Sequence, residues 1–353
     1  MTHRTPIIIP VFIPHAGCLE RCLFCNQKAA GKGISLPTLK AFIETSLAKI
    51  PLDHRGREIQ IAFYGGSFTA MDREVQLLYL KEVQSFLSFG RIDSIRVSTR
   101  PDALDEETLA QLHRYGTKTV EIGAQSMEDE VLLLSNRGHR AEDTVSAMDC
   151  LRDWGFEIGI QLMMGLPGDT LVRFLYTLEQ MIELKPDFLR IHPTLVLKGA
   201  PLESLWRGHR YLPLSLDETI RWLKAGLLKL RRHSIRVARI GLQPTPELED
   251  HLLAGPYHPA LRHFVDSAIT YDMAARLLET SGGNAAPVFL CHPQEISNLR
   301  GQRNENIHTL RTRFRLQDVC IQEEGLLPRE YLVLQTSQGN RSMSRMDLRY
   351  DEH

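Results

Sequence analysis

Cys18, Cys22 and Cys25 form a C-x3-C-x2-C triplet inside the short stretch Gly17 to Asn26. Thiolates are soft donors, so such a triplet can bind metal. An iron–sulfur cubane is usually held by four cysteine thiolates. Three in one loop, with no fourth nearby, would leave one iron without a protein ligand. An open coordination position offers the metal to a substrate; a closed one only buries it. Structural zinc is the rival, with His15 able to supply a fourth ligand. The three-residue gap between Cys18 and Cys22, and the lack of a second pair at finger spacing, count against zinc. Plain buried thiols are the third reading. Cys150, Cys291 and Cys320 lie far along the chain and are expected to be small core hydrophobes.

The triplet follows an apolar run, Ile7–Ile13, the first of six β-rich runs. The others are Ile59–Tyr64, Ser94–Ser98, Lys118–Ile122, Glu157–Met163 and Phe188–Pro193. Between them lie helical patterns: Pro37–Lys49, Asp72–Phe89, Asp105–Tyr115, Arg140–Trp154 and Asp169–Leu184. Strands separated by helices of this length imply βαβ units and a parallel sheet. Right-handed crossovers in series curl such a sheet into a barrel or part of one. The expected fold is therefore α/β, a partial (β/α)6 barrel over residues 1–240 with a mixed extension over 241–353. Each strand ends in a Gly-, Pro- or polar-rich turn: PHAGC, YGGSF, STRPD, GAQS, GLPGD and HPT. Ligands of α/β folds sit beyond the carboxyl ends of the strands, where these turns lie.

Further on, Leu216–Arg232 reads as helix and Ile235–Ile240 as a short run. Leu252, Leu253, Leu261, Phe264, Val265, Ile269 and Met273 fall at roughly helical spacings. VFLCHP and YLVLQT read as late strands, and the polar end from Asn340 to His353 is expected to be frayed. Residues 241–353 are expected to cover the open side of the barrel or to select the substrate.

The chain has 353 residues, with 42 Lys+Arg against 43 Asp+Glu and a net charge of −1, which excludes a globally basic nucleic-acid binder. No apolar run is long enough to span a bilayer. Pro6, Pro10 and Pro14 punctuate the N-terminal apolar stretch, which reads as a strand rather than a signal peptide. Six cysteines make no disulfide framework, and three grouped ones point to metal in a reducing, cytoplasmic compartment.

With its motifs in chain order, the sequence resembles the radical S-adenosylmethionine (SAM) superfamily, over about residues 5–240. The cysteine loop at the end of the first strand is similar to that family's cluster loop, with Phe24 matching the aromatic before the last cysteine. Gly65-Gly66-Ser67-Phe68 resembles the glycine motif that receives the amino group of SAM. Ser98-Thr-Arg-Pro-Asp102 resembles the third-strand motif of elongator catalytic-subunit relatives, and Ser98 stands where many members carry Glu. Gly123-Ala-Gln-Ser126 resembles the fourth-strand motif, which implies that Gln125 faces SAM. Arg137 matches an arginine that pairs with the SAM carboxylate in oxygen-independent coproporphyrinogen oxidases. Gln161, in QLMMGLPG, stands where those oxidases carry a ribose-binding Asp. Arg190-Ile-His-Pro-Thr194 resembles the sixth strand of the elongator relatives, which makes His192 a substrate candidate. The cysteine spacing is shorter than in the elongator catalytic subunit, and its acetyltransferase domain is not expected in the residues given after the barrel.

The resemblance implies a 4Fe–4S cluster on Cys18, Cys22 and Cys25, and SAM at Phe24, Gly65, Gly66, Ser67, Ser98, Gln125, Arg137 and Gln161. It also implies cleavage of SAM to a 5′-deoxyadenosyl radical, and an electron donor such as flavodoxin or ferredoxin. Three functions stay open: a radical enzyme acting on a tRNA base, one acting on a small molecule such as a tetrapyrrole (or a haem-handling protein), and a non-catalytic metal-containing binding module. A cationic run of Arg300, Arg303, His308, Arg311, Arg313 and Arg315, with only Glu295, Glu305 and Asp318 nearby, is either an RNA contact or a solvated face. Met163 and Met164 read as core packing and Lys198 as solvated.

Overall fold

The computed structural model describes residues 5–13, 16–18, 22–26, 33–51, 53, 56–281, 286–336 and 339–348. The chain divides into two compact units. The first holds Met1–Leu214, Arg236–Ala238 and Leu242–Pro256; the second holds Ser215–Ile235, Arg239–Gly241 and Tyr257–His353. Helix Leu216–Arg231, inside the 1–240 segment expected from sequence, thus groups with the second unit.

The first unit alternates strands and helices: β1 (Ile7–Phe12), α1 (Leu36–Leu47), β2 (Ile59–Tyr64), α2 (Arg73–Ser88), β3 (Ser94–Thr99), α3 (Glu106–Arg114), β4 (Thr117–Gln125), α4 (Asp129–Leu134), α5 (Ala141–Asp153), β5 (Glu157–Met164), α6 (Leu171–Leu184) and β6 (Phe188–Pro193). Then come β7 (Val196–Leu197) and α7 (Pro201–Arg207). The strands lie in chain order, β1-β2-β3-β4-β5-β6, and every pair from β1 to β6 is parallel. The sheet curls into the expected partial barrel. The next strand, β8 (Val237–Ile240), continues it, and the Leu189 N–H donates to the Arg236 carbonyl at 2.8 Å.

Alternation along the strands separates two faces. Ile61, Phe63, Ile95, Val97, Val120, Ile122, Ile158, Ile160, Leu162, Leu189 and Ile191 are almost fully buried on one face. The α2, α5 and α6 positions Leu80, Val83, Met148, Leu151, Phe174, Leu178 and Met181 supply further buried apolar surface. The other face, the barrel interior, carries Gln60, Arg96, Thr119, Glu121 and Arg190. Helix starts are fixed by side chains accepting from backbone N–H groups: Asp72 for α2, Asp105 for α3 and Thr170 for α6.

In the second unit, α8 (Leu216–Arg231) begins with a Ser215/Glu218 capping box. After α9 (Pro246–His251) and β9 (Leu252–Ala254), both in the first unit, α10 (Leu261–Thr280) returns to it. It continues with β10 (Val288–Cys291), α11 (Ile296–Arg300), α12 (Glu305–Phe314), β11 (Cys320–Glu323), β12 (Tyr331–Thr336) and β13 (Gly339–Ser344). The strands order as β11-β10-β12-β13. Arg345 is buried and pairs with Asp266 at 2.9 Å and with Glu295 at 3.5 Å.

Several sequence expectations are corrected here. Leu252 and Leu253 are not helical: they form β9, which pairs antiparallel with β7. Residues 340–344 are not frayed, because β13 hydrogen-bonds to β12 from Tyr331↔Ser344 to Thr336↔Gly339. Polar β13 side chains sit on the outer edge of the small sheet, which hides the strand from an apolar pattern. Cys291 is buried as expected, but Cys150 and Cys320 are exposed. Among the described residues no helix is long and apolar enough to cross a membrane.

Candidate functional site at the carboxyl ends of the strands

The barrel interior is polar and cross-linked. Arg96 donates from Nε and Nη2 to Gln60 at 3.0 and 2.8 Å, and from Nη1 to Glu121 at 2.7 Å. Arg190 holds the second Glu121 oxygen at 2.8 Å, and the Tyr64 hydroxyl donates to the first at 2.8 Å. Burial alone would raise the Glu121 carboxyl; the Arg190 and Arg96 charges outweigh it and hold it below the usual carboxylate range. Burial, then the Glu121 charge, pushes the Tyr64 hydroxyl upward, so Tyr64 stays a donor. A buried carboxylate is retained here because two guanidinium groups satisfy it.

Above this floor the cysteine loop leaves β1. Its backbone locks into the β2 turn. A Cβ at Gly66 would lie 2.2 Å from the Ala16 carbonyl oxygen, and one at Gly17 (φ +70°) 2.2 Å from the Ser67 carbonyl oxygen. The Ser67 N–H donates to that Ala16 oxygen at 2.9 Å. Two glycines thus let two chain segments touch backbone to backbone. The Ser67 hydroxyl is buried and spent on β3, meeting Thr99 Oγ1 at 3.0 Å and the Arg100 N–H at 3.1 Å.

The far side of the loop is held by later residues. Leu23 N–H donates to Ser135 at 3.0 Å, Leu202 N–H to Leu23 at 2.8 Å, and Asn26 Nδ2 to the Lys198 carbonyl. Leu23 and Phe24 pack on buried Val196, Leu202 and Tyr211. Cys22 is buried, Cys18 and Cys25 half-buried. Among the described residues no three His, Cys, Asp or Glu side chains converge tightly enough to share a single ion. A cubane needs less convergence, since each thiolate takes a different iron. His15 lies outside the described residues.

The fourth-strand motif is distorted. The β4–β5 register shifts between Ile122 and Gln125, and Gln125 takes φ +69°. A bulge and a left-handed non-glycine residue re-aim side chains and concentrate at functional sites. Gln125 is buried with its Oε1 unpartnered. Arg137 is buried: Nη1 donates to Cys22 Sγ at 3.1 Å, Nη2 to the Gly123 carbonyl at 2.6 Å, and Nε has no partner. His139 Nε2 meets the Ala124 carbonyl at 3.2 Å while Nδ1 is unpartnered. Burial, then the Arg137 charge, lowers the His139 imidazole to about 4, so it is neutral at pH 7.

Ser98 and Gln161 sit half-buried on the interior faces of β3 and β5, with Gln161 in register with Arg190. His192 is buried on β6, in register with Met163. Beyond β5, residues 165–169 with Leu134, Leu205, Arg210, Tyr211, Leu212 and Leu214 line a cavity of about 410 Å³. Asp169 accepts from the Gly165 and Thr170 N–H groups, and burial pushes its carboxyl up to about 7.

Sequence reasoning missed the Arg96–Glu121–Arg190 lattice, His139, and the 195–211 segment that braces the cysteine loop. Glu121 and Arg190 could have been found as charges at inward positions of otherwise apolar strands. The cationic run is exposed on and around α12, but Arg313 pairs with Glu279 at 2.7 Å, an acidic partner the local sequence did not show.

A family model of the radical SAM superfamily matches residues 12–181, and one of a radical SAM C-terminal domain matches residues 186–271. The chain is 29% identical over 187 residues to a tRNA uridine(34) acetyltransferase of Methanocaldococcus jannaschii, covering 47% of this chain and 35% of that protein. It is 28% identical over 240 residues to the oxygen-independent coproporphyrinogen-III oxidase-like protein HemZ of Bacillus subtilis, covering 65% of this chain and 48% of that one. Its fold matches the archaeal Methanocaldococcus infernus Elp3 with an N-terminal deletion, at TM-score 0.59 and 22% identity, over 79% of this chain and 64% of that chain. The chain spans from about a third to about half of the length of these curated relatives.

Proposed function

This chain belongs to the radical SAM superfamily, and on that premise we propose that it is an enzyme that reductively cleaves SAM to act on a tRNA base. The observation that carries the reading is the convergence at the end of β4. There, buried Arg137 reaches Cys22 while Arg137 Nε, Gln125 Oε1 and His139 Nδ1 are left without partners. Buried polar atoms are almost always satisfied, so an unpartnered group of this kind asks for a polar ligand.

The residues fit the implied groups. Cys18, Cys22 and Cys25 would hold three irons of a 4Fe–4S cluster and leave the fourth for SAM. A cluster held there would supply the electron for reductive cleavage of SAM. The protein's part is placement and shielding. Arg137 offers a donor to a carboxylate, and Gln125 offers an acceptor to an ammonium or hydroxyl group. His139, donating through Nε2 to a carbonyl, presents Nδ1 as an acceptor. Gly66 brings backbone close to the loop, with Gly65, Ser98, Gln161 and Phe24 completing the surround. The cavity beside Asp169 has the size of an ordinary ligand pocket and supports an occupant as large as an adenine. His192 remains the candidate for substrate contact.

The tRNA assignment draws on the activity named for the archaeal relative and on the exposed arginines of the second unit, which we propose as the substrate-selecting part. An electron donor such as flavodoxin or ferredoxin belongs to the same proposal. The test is anaerobic reconstitution with iron and sulfide, assay of 5′-deoxyadenosine under reduction, and mass spectrometry of whatever copurifies. About four irons, 5′-deoxyadenosine and bound tRNA are expected. Stoichiometric zinc without iron would overturn the cluster. A copurifying tetrapyrrole in place of RNA would overturn the substrate.

A further inference from the structure

Arg137 is a buried cation with no carboxylate partner among the described residues. Its side chain is fixed from two directions. Nη2 donates to the Gly123 carbonyl at 2.6 Å, and Nη1 donates to Cys22 Sγ at 3.1 Å. Gly123 keeps that geometry open, because a Cβ there would lie 3.3 Å from Nη2 and 2.9 Å from Gln125 Nε2. The sulfur it meets belongs to the most deeply buried cysteine of the triplet, 7% exposed. A guanidinium 6% exposed is costly unless an anion balances it, and Cys22 sulfur is the group the structure places against it.

We infer that Arg137 is a positioning residue for the metal centre itself: its guanidinium donates to the Cys22 sulfur and raises the reduction potential of the cluster. This rests on the cluster reading proposed above and goes beyond a role toward SAM. Reduction takes one electron from an external reductant into the cluster, with no proton moved and no bond broken, and makes the centre more negative. A cation and an N–H donor at a ligand sulfur stabilise the more negative state, and hydrogen bonds to cluster sulfurs are a known lever on potential. The unpartnered Nε leaves the same guanidinium one donor for a second anion. One side chain can then report the arrival of a carboxylate to the cluster.

The test uses reconstituted full-length protein without SAM, titrated with dithionite and followed by the EPR signal of the reduced cluster. Arg137→Met should shift the one-electron equilibrium about tenfold against reduction, equal to 59 mV more negative. Arg137→Lys, which keeps the charge, should shift it less. An unchanged midpoint in Arg137→Met at full iron content overturns the inference. Should that variant fail to hold iron, wild type grown on guanidino-15N arginine serves instead. A 15N hyperfine coupling to the reduced cluster that disappears in Arg137→Lys is expected, and no coupling, or one unaltered by Arg137→Lys, overturns it. Wild type that takes up no cubane overturns the reading beneath it as well, and iron analysis shows this before any potential is measured.

Discussion

Replacing Gly66 by Ala should separate the cysteine loop from the sheet that carries it. The new Cβ would meet the backbone of residue 16 at 2.2 Å from its oxygen, 2.9 Å from its nitrogen and 3.1 Å from its carbonyl carbon. Comfortable non-bonded separation is about 3.5 Å, so one segment must retreat by roughly 1 Å. Neither is a flexible side chain that could swing aside. Overpacking of this kind costs about 1–3 kcal/mol. The retreat also breaks the 2.9 Å bond from Ser67 N–H to the Ala16 carbonyl, adding about 1 kcal/mol. The expected loss is therefore about 2–4 kcal/mol, a large part of a total of about 5–15. Gly90→Ala is the control: φ is +63° but nothing lies within 4 Å, so only the left-handed backbone penalty of about 1–2 kcal/mol applies. Urea unfolding of the metal-free protein gives the stabilities, and iron analysis after reconstitution gives loop competence. Gly66→Ala should lose both stability and iron, while Gly90→Ala keeps its iron. A Gly66→Ala protein within 0.5 kcal/mol of wild type and fully loaded would refute the interlock.

Alanine at Cys18, Cys22 or Cys25 should abolish iron uptake, whereas serine at Cys150, Cys291 or Cys320 should leave the cluster absorption intact; loss of cluster in one of the latter would reveal a fourth protein ligand. Glu121→Ala strands Arg96 and Arg190 inside the barrel and should cost about 3–5 kcal/mol in urea unfolding, and a loss below 1 would deny the lattice a stabilising role. His139, lowered to about 4 from an ordinary 6.5, leaves only the unfolded chain to take up a proton between those values, so stability falls as pH falls. At pH 5 this amounts to about 2 kcal/mol relative to pH 7.5, and His139→Gln should remove it; an identical pH slope in the variant would show that His139 titrates normally. Asp169, raised to about 7, works in the opposite sense and is present in both proteins. On the RNA side, Arg303→Glu with Arg311→Glu is a cleaner pair than one including Arg313, which Glu279 already holds. That variant should bind tRNA more weakly at low salt, with cluster content unchanged; unaltered binding would remove the nucleic-acid reading.

The sheet was legible because its chemistry is local. Ile59–Tyr64 and Phe188–Pro193 are apolar runs ended by Gly and Pro, and both strands fall where the pattern puts them. Helix starts were equally local: the patterns begin at Asp72 and Asp169, and Asp72 and Thr170 cap the next few residues. What escaped depends on distance in the chain. Arg137 meets Cys22 across 115 residues, and Asn26 meets Lys198 across 172. No periodicity encodes either contact. Leu252 and Leu253 were misread for a related reason: their spacing suits a helix, but β7 offers them a ladder. In β4 the motif glycine and the bulge carried the strand to Gln125, three residues beyond the apolar run.

The order in which these anchors are synthesised has a consequence for how the protein is made. The cysteine loop leaves the ribosome well before its braces at Arg137, Lys198 and Leu202. At about 5–20 residues per second, the 172 residues from Asn26 to Lys198 take on the order of 10–35 s. Through that interval three thiols sit on a nascent chain without the residues that fix them. On the proposed cluster reading, loading of iron would belong after most of the first unit has been translated.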